Sequence, residues 1–134
     1  MGFKKVDVKT LEMKPFEKIG SEWMLISAAK DGKANTMTAS WGGIGVLWGK
    51  NVATVYIRPQ RHTKEFVDAG DTFTISFFGG GHMKELGYLG KVSGKDVPDK
   101  IEQSGLHLTE VDGQPGFEEA TQVLVCRKLY HDEI

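Results

Sequence analysis

The sequence has little cysteine, no long apolar run and no excess of one charge. Its single cysteine, Cys126, cannot form an internal disulfide. Apolar runs such as residues 23–29 and 44–48 are far shorter than the roughly 20 residues that a membrane helix needs. The 17 basic and 18 acidic residues leave a formal net charge of -1, which predicts no nucleic-acid ligand. No export signal is visible, so we expect a cytoplasmic protein that does not contact a membrane.

Two further absences limit the chemistry. The four histidines are scattered along the chain, without a His-x-x-x-His or Cys-x-x-Cys pair, so no metal is expected. No repeat, low-complexity stretch or linker divides the sequence. With 40% hydrophobic residues over 134 positions, a chain of this size buries roughly two-thirds of its unfolded surface. We therefore predict a single domain over residues 1–134.

Segments rich in β-branched and aromatic residues alternate with turn signals. They predict strands at residues 23–28, from 35, and at 51–57, 72–78, 106–111 and 121–129. The turn sequence Lys-Asp-Gly-Lys at residues 30–33 predicts a hairpin. Short helices are predicted within residues 60–70, 83–89 and 98–104. At least six strands with a few short helices indicate a mainly β fold, a closed or split β-barrel.

Residues 35–43, Asn-Thr-Met-Thr-Ala-Ser-Trp-Gly-Gly, combine small polar side chains with a double glycine. Thr36, Thr38 and Ser40 would point to one face of a strand. Three short hydroxyls leave room for a flat ligand, and the neighbouring backbone can bond its polar edge. The same pattern also suits an ordinary edge strand with solvent-facing hydroxyls. Both interpretations stay open at this point.

Residues 58–63, Arg-Pro-Gln-Arg-His-Thr, follow a predicted strand and open a predicted helix. The guanidinium groups of Arg58 and Arg61, together with unpaired backbone N–H groups, would form a seat for a phosphate. The alternative is that both arginines are solvated or paired with Glu65 and Asp68.

Four motifs together resemble the flavin reductase-like family, which includes the flavoredoxins. They are Asn-Thr-Met-Thr-Ala-Ser-Trp-Gly-Gly, Arg-Pro-x-Arg-x-Thr, Phe-Thr-Ile-Ser-Phe-Phe and Ser-Gly-Lys-Asp-x-x-x-Lys, in this order between about residues 35 and 130. Each motif alone is weak, but four in order at compatible spacing are specific. The resemblance implies an FMN-binding split β-barrel and a homodimer with one FMN per subunit, at or near the subunit interface.

Carried over position by position, the resemblance also implies a set of cofactor-binding residues. Residues 35–38 and 40 would line the flavin, and Trp41 would lie beside its ring. Arg58, Arg61 and Thr63 would contact the phosphate and the ribityl chain. Lys100 would be a basic residue near the cofactor, where a cation raises the flavin potential, although Lys95 competes for this role and either lysine can instead be a surface residue. The full predicted set is Asn35, Thr36, Met37, Thr38, Ser40, Trp41, Arg58, Arg61, Thr63 and Lys100.

The activity that the resemblance implies is electron transfer from NADH or NADPH, through bound FMN, to free flavin or to a redox protein partner. The alternative is a flavoredoxin-type carrier that exchanges electrons only with partner proteins. No catalytic side chain is expected, because the cofactor performs the chemistry. Relatives usually continue beyond the strand that contains Cys126. Since this chain stops at Ile134, we expect a short member or an incomplete product, and the roles of Tyr130 and His131 stay open.

Overall fold

The computed structural model describes residues 2–134, and within this range the chain is mainly β with a few short helices. A 3-10 turn at Val8–Thr10 precedes the first helix. The elements in chain order are α1 (Pro15–Gly20), β1 (Met24–Lys30), β2 (Lys33–Ala39), β3 (Gly42–Leu47), β4 (Lys50–Val55), α2 (Thr63–Ala69), β5 (Thr72–Phe77), α3 (Met83–Lys91), α4 (Lys100–Ser104), β6 (Leu108–Val111), β7 (Gln114–Phe117) and β8 (Gln122–Arg127). Among these residues, no helix combines the length and the apolar character of a membrane span.

The strands form three antiparallel sheets. A four-stranded sheet has the order β2-β1-β5-β8, so β2 and β8 are its edges. The hairpins β3-β4 and β6-β7 are each a separate two-stranded sheet. The mainly β prediction is confirmed.

Tight two-residue turns join the hairpins. Asp31 and Gly32, between β1 and β2, have φ angles of 53° and 77°. Positive φ at both positions matches the twist of paired strands, and Asp-Gly reaches this conformation at low cost. The hairpin predicted at residues 30–33 is therefore confirmed. The β3-β4 turn places Trp48 in the same left-handed region, with φ 54°, where a bulky side chain is rare.

The four-stranded sheet is covered on both faces. On one face Phe73, Ile75 and Phe77 of β5 pack with Phe66 and Val67 of α2. On the other face Leu25 of β1 packs with Leu86 and Leu89 of α3. The sheet is thus the middle layer of the molecule, and its edge strand β2 lies next to both helical layers.

Three elements had no sequence prediction. The glycines of β3 (Gly42–Leu47) are typical of turns, and β7 (Gln114–Phe117) contains both a proline and a glycine, which weaken a strand signal. The third, α1, is only six residues long. β3 and β7 pair with the adjacent strand of their hairpins, β7 also packs on β5 and β1, and α1 packs on β3, so contacts with other elements decide the conformation against a weak local preference.

Candidate functional site

An open cleft lies where the chain leaves β2 and where it leaves β4. The hairpin β3-β4 brings these two points together, because Gly42 at its start pairs with Val55 at its end. The cleft has a volume of about 80 Å³. Its lining residues are Met37, Thr38, Ala39, Ser40, Trp41, Tyr56, Arg58 and Arg61. The structure therefore brings together the ends of the two segments that the sequence singled out.

The close approach of the two strands at the base of this hairpin requires a glycine. A Cβ atom on Gly42 would lie 2.6 Å from the backbone oxygen of Thr54 and 3.3 Å from the Met24 Cε atom. The neighbouring Gly43 has open space around it. Only the first glycine of the pair is needed for packing beside the cleft.

Arg58 and Arg61 form a cationic wall of the cleft. The Arg58 guanidinium lies over the Trp41 ring, 5.6 Å from its centroid, in a cation–π arrangement. Burial, and after it the neighbouring charge of Arg58, lowers the pKa of Arg61 from its usual value. Both effects disfavour the charged form of Arg61, and a bound anion would favour it.

The pairing of the arginines with Glu65 and Asp68, one part of the predicted alternative, is wrong, whereas Arg58 is exposed to solvent as the other part expected. Glu65 Oε2 lies 2.7 Å from His62 Nδ1, and Asp68 Oδ2 accepts a hydrogen bond of 2.6 Å from the Lys64 ammonium. Within residues 2–134, no carboxylate oxygen lies within 4.0 Å of either guanidinium group. The two arginine head groups are therefore available to an anion.

Asn35 and Thr63 meet in the interior rather than in the cleft. The Asn35 Nδ2 group donates to Thr63 Oγ1 over 2.7 Å, and both residues are buried. This bond ties β2 to the first residue of α2, two positions after Arg61. The bond therefore connects the two chain segments that line the cleft, without facing the cleft itself.

Thr36 and Thr38 share one face of β2, as predicted, but α3 and β1 use their hydroxyls. Thr36 is fully buried; its Oγ1 atom lies 2.8 Å from Ser27 Oγ and donates to the Ile26 oxygen. The Thr38 hydroxyl donates to the Leu86 oxygen of α3. Of these hydroxyl residues, Thr38 and Ser40 line the cleft, and Thr36 does not.

Lys100 lies behind the cleft and not in its lining. Its side chain is buried, with 2% exposure, so the surface interpretation is wrong for this residue. The ammonium group donates to the backbone oxygens of Val92 (2.9 Å) and Leu89 (3.4 Å). Burial, with a smaller effect of Arg61, lowers the Lys100 pKa to about 8. The competing Lys95 is exposed.

Sequence reasoning missed Tyr56 as a cleft residue. Tyr56 is half-exposed and lines the cleft beside Arg58. The available signal was its position two residues before Arg58, since residues i and i+2 of an extended segment share a face. Tyr130, by contrast, packs edge-on against Trp48, with ring centroids 6.1 Å apart. It lies at the far end of the β3-β4 hairpin.

Comparison with known proteins identifies the family. Residues 16–132 match the flavin reductase like domain, and the chain belongs to this family. The resemblance predicted from the four motifs is confirmed. Among curated proteins, none matches the sequence.

Solved structures share the fold. An FMN-binding domain of a flavin reductases-like enzyme from Shewanella baltica OS155 superposes with a TM-score of 0.77 at 23% identity, over 87% of this chain and 61% of that one. Flavoredoxin from Methanosarcina acetivorans has a TM-score of 0.71 at 27% identity, over 84% and 60%. Flavoredoxin of Desulfovibrio vulgaris (Miyazaki F) has 0.75 at 20%, over 97% and 69%. The chain thus spans about three-fifths of the length of the first two.

Proposed function

We propose that this chain binds FMN in the cleft and transfers electrons from NADH or NADPH, through the flavin, to free flavin or to a redox protein. The observation that carries the proposal is the pair Arg58 and Arg61, which line one cleft without a carboxylate partner among residues 2–134. A phosphate dianion would offset the repulsion between the two guanidinium groups and the desolvation of Arg61, and arginine forks match its oxygens. In this proposal the three sheets correspond to the split β-barrel of the family.

The residues of the cleft suit the different parts of FMN. Arg58 and Arg61 would hold the phosphate. Ser40 and the Thr38 oxygen, which can still accept a hydrogen bond, offer polar atoms to the ribityl chain and the ring edge, and Trp41, 53% exposed, offers an aromatic surface next to them. Bound FMN would supply the redox chemistry, while these side chains bind and orient it. No side chain has to act as an acid or a base.

A homodimer completes this proposal. Pockets that enclose ligands of this size usually measure about 300–1,000 Å³, whereas the cleft of one subunit measures about 80 Å³. The β3-β4 hairpin, which begins at the cleft, exposes Val46 (72%) and Trp48 (64%). Large exposed apolar groups are typical of interfaces. We propose that this hairpin packs on a second copy and encloses the flavin between them.

A flavoredoxin-type carrier is the second candidate function. It is favoured by the fold shared with the flavoredoxins, one of which is 27% identical to this chain. The two functions differ in the donor: the reductase accepts electrons from a nicotinamide directly, and the carrier needs a protein.

Absorption spectroscopy tests both candidates. The protein is titrated with FMN, and NADH or NADPH is then added without oxygen. Shifted flavin bands that bleach rapidly support the reductase. Shifted bands that persist until a redox protein is added support the carrier. Bands identical to those of free FMN would contradict flavin binding altogether, and titration with riboflavin is the control for the phosphate contacts.

A further inference from the structure

The Lys100 ammonium is buried without an acidic partner. Its acceptors in the structure are the Leu89 and Val92 carbonyls, at the C-terminal end of α3. This end of a helix carries partial negative charge and attracts a cation. Within residues 2–134, no carboxylate forms an ion pair with Lys100. A buried charge held only by backbone dipoles is costly, and an apolar side chain would usually be the more stable choice.

The segment that Lys100 holds lies against the residues behind the cleft. After Val92 the chain turns, and the Val97 N–H donates to the Ser93 oxygen over 2.9 Å. Gly94 in this turn is packed so closely that a Cβ atom would overlap the Asn35 side chain and lie 3.2 Å from His62 Cδ2. His62 directly follows Arg61 in the chain. The turn therefore packs against the segment of residues 61–62, which places Arg61 in the cleft.

Electrostatics connects the same two residues. Arg61 is the charged group that acts on Lys100, and it opposes the protonated state of the lysine. An anion bound by Arg61 would offset this repulsion, so Lys100 and a bound anion favour each other. Both the packing contacts and the charges therefore link Lys100 to Arg61.

We propose that Lys100 is a positioning residue for the anion site: its ammonium fixes the end of α3 and the turn around Gly94, and thereby holds Arg61 toward the cleft, without contacting the anion itself. This proposal rests on the proposed function, because it takes the anion to be the phosphate of FMN. It assigns Lys100 a role through Arg61, in place of the direct cofactor contact that the family resemblance implied.

A double-mutant cycle tests the proposal. The dissociation constants for FMN and riboflavin are measured for the wild type, Lys100→Met, Arg61→Ala and the double variant. The ratio of the dissociation constant for riboflavin to that for FMN measures the contribution of the phosphate, because the two ligands share the ring and the ribityl chain. This quantity is called the ratio below. We expect Lys100→Met to lower this ratio about tenfold, as coupled neighbours do, and to add little in the Arg61→Ala background. An unchanged ratio, or independent effects that multiply, would overturn the proposal.

Lys128→Met is the matched control. The Lys128 ammonium also donates to a carbonyl at a helix end, that of Val67 in α2 (2.8 Å), at the opposite end of this helix from Arg61. We expect this variant to keep the wild-type ratio. A ratio that falls equally in both variants would show a general loss of helix-end bonds and would contradict the specific role of Lys100.

The pH dependence of the ratio in the wild type tests the proposal without requiring that a variant folds. The Lys100 ammonium is present below about pH 8 and is lost above it, whereas the FMN phosphate is fully ionised by then, its second pKa being about 6. Arg61 stays protonated in this range. We expect the ratio to fall as the pH rises through about 8. A ratio independent of pH would overturn the proposal, and a wild type that fails to prefer FMN would overturn the proposed function with it.

Discussion

The ammonium groups of Lys100, which is buried, and Lys128, which is half-buried, both bond to the ends of helices. Each directs its ammonium to backbone oxygens at the last turn of a helix, Lys100 to α3 and Lys128 to α2. Helix ends leave carbonyl groups without partners, and a cation satisfies both their bonding capacity and their partial charge. The two arginines of the cleft lack such partners, which is why we assign ligand binding to Arg58 and Arg61 and a positioning role to Lys100.

Replacement of the single residue Arg58 tests the proposed phosphate-binding site. We expect Arg58→Ala to weaken FMN binding by about 1.5–3 kcal/mol, because a charge-assisted bond to the phosphate is lost. Riboflavin, which has no phosphate, should bind the variant nearly as well as it binds the wild type. The measurement is a fluorescence titration with each flavin. An unchanged dissociation constant for FMN would remove Arg58 from the site.

Cys126 should be chemically inert in the folded protein. Burial raises the pKa of its thiol to about 11, so the reactive thiolate is scarce at neutral pH. We expect iodoacetamide to modify the native protein much more slowly than the protein unfolded in guanidinium chloride. Mass spectrometry of timed samples measures both rates. Equal rates would show that the thiol is exposed.

At the scale of elements, the β3-β4 hairpin shapes the cleft. Its base brings Trp41 and Tyr56 to the two sides of the Gly42 to Val55 pair, and its far end carries the apolar groups Val46 and Trp48. Neither strand of the hairpin forms backbone hydrogen bonds with a strand of the four-stranded sheet. Its position therefore depends on close packing at its base.

Substitution at the base of the hairpin tests this dependence. We expect Gly42→Ala to lower the free energy of unfolding by about 1–3 kcal/mol, because the added Cβ must displace backbone, and to weaken FMN binding. Gly43→Ala is the matched control, since its Cβ would meet no atom within 4 Å. Urea unfolding measures both variants. Equal stability of the two would show that the hairpin base moves aside without cost.

At the scale of the whole molecule, the proposed dimer explains why so much apolar surface is exposed on one hairpin. We expect Val46→Lys to prevent formation of the proposed dimer, because a buried unpaired charge opposes association. FMN affinity should fall in parallel, since a second copy would close the cleft in the proposed dimer. Light scattering during size-exclusion chromatography measures the mass. Leu108→Lys, which adds the same charge at an exposed position of β6, should stay dimeric; a monomeric wild type would contradict the proposal.

The sequence by itself determined the features that depend on local preference. The Asp31-Gly32 turn follows from the left-handed conformations that these residues tolerate. Strand β5 follows from its alternating pattern, which a strand presents whatever lies opposite. The arginine segment and the motif order predicted the family, which the match over residues 16–132 confirmed.

Only the tertiary structure decided what covers each of these elements. Thr36 and Thr38 lie on one face of a strand in either case, but it is α3 that bonds the Thr38 hydroxyl and β1 that buries Thr36. From the sequence, Lys100 could be a surface lysine or a cofactor contact. Only the structure shows that its ammonium bonds to the end of α3. Tyr56 joins the cleft because β3 folds back on β4. The physical reason is that alternation sets the direction of a side chain, whereas its partners come from contacts between residues far apart in the chain.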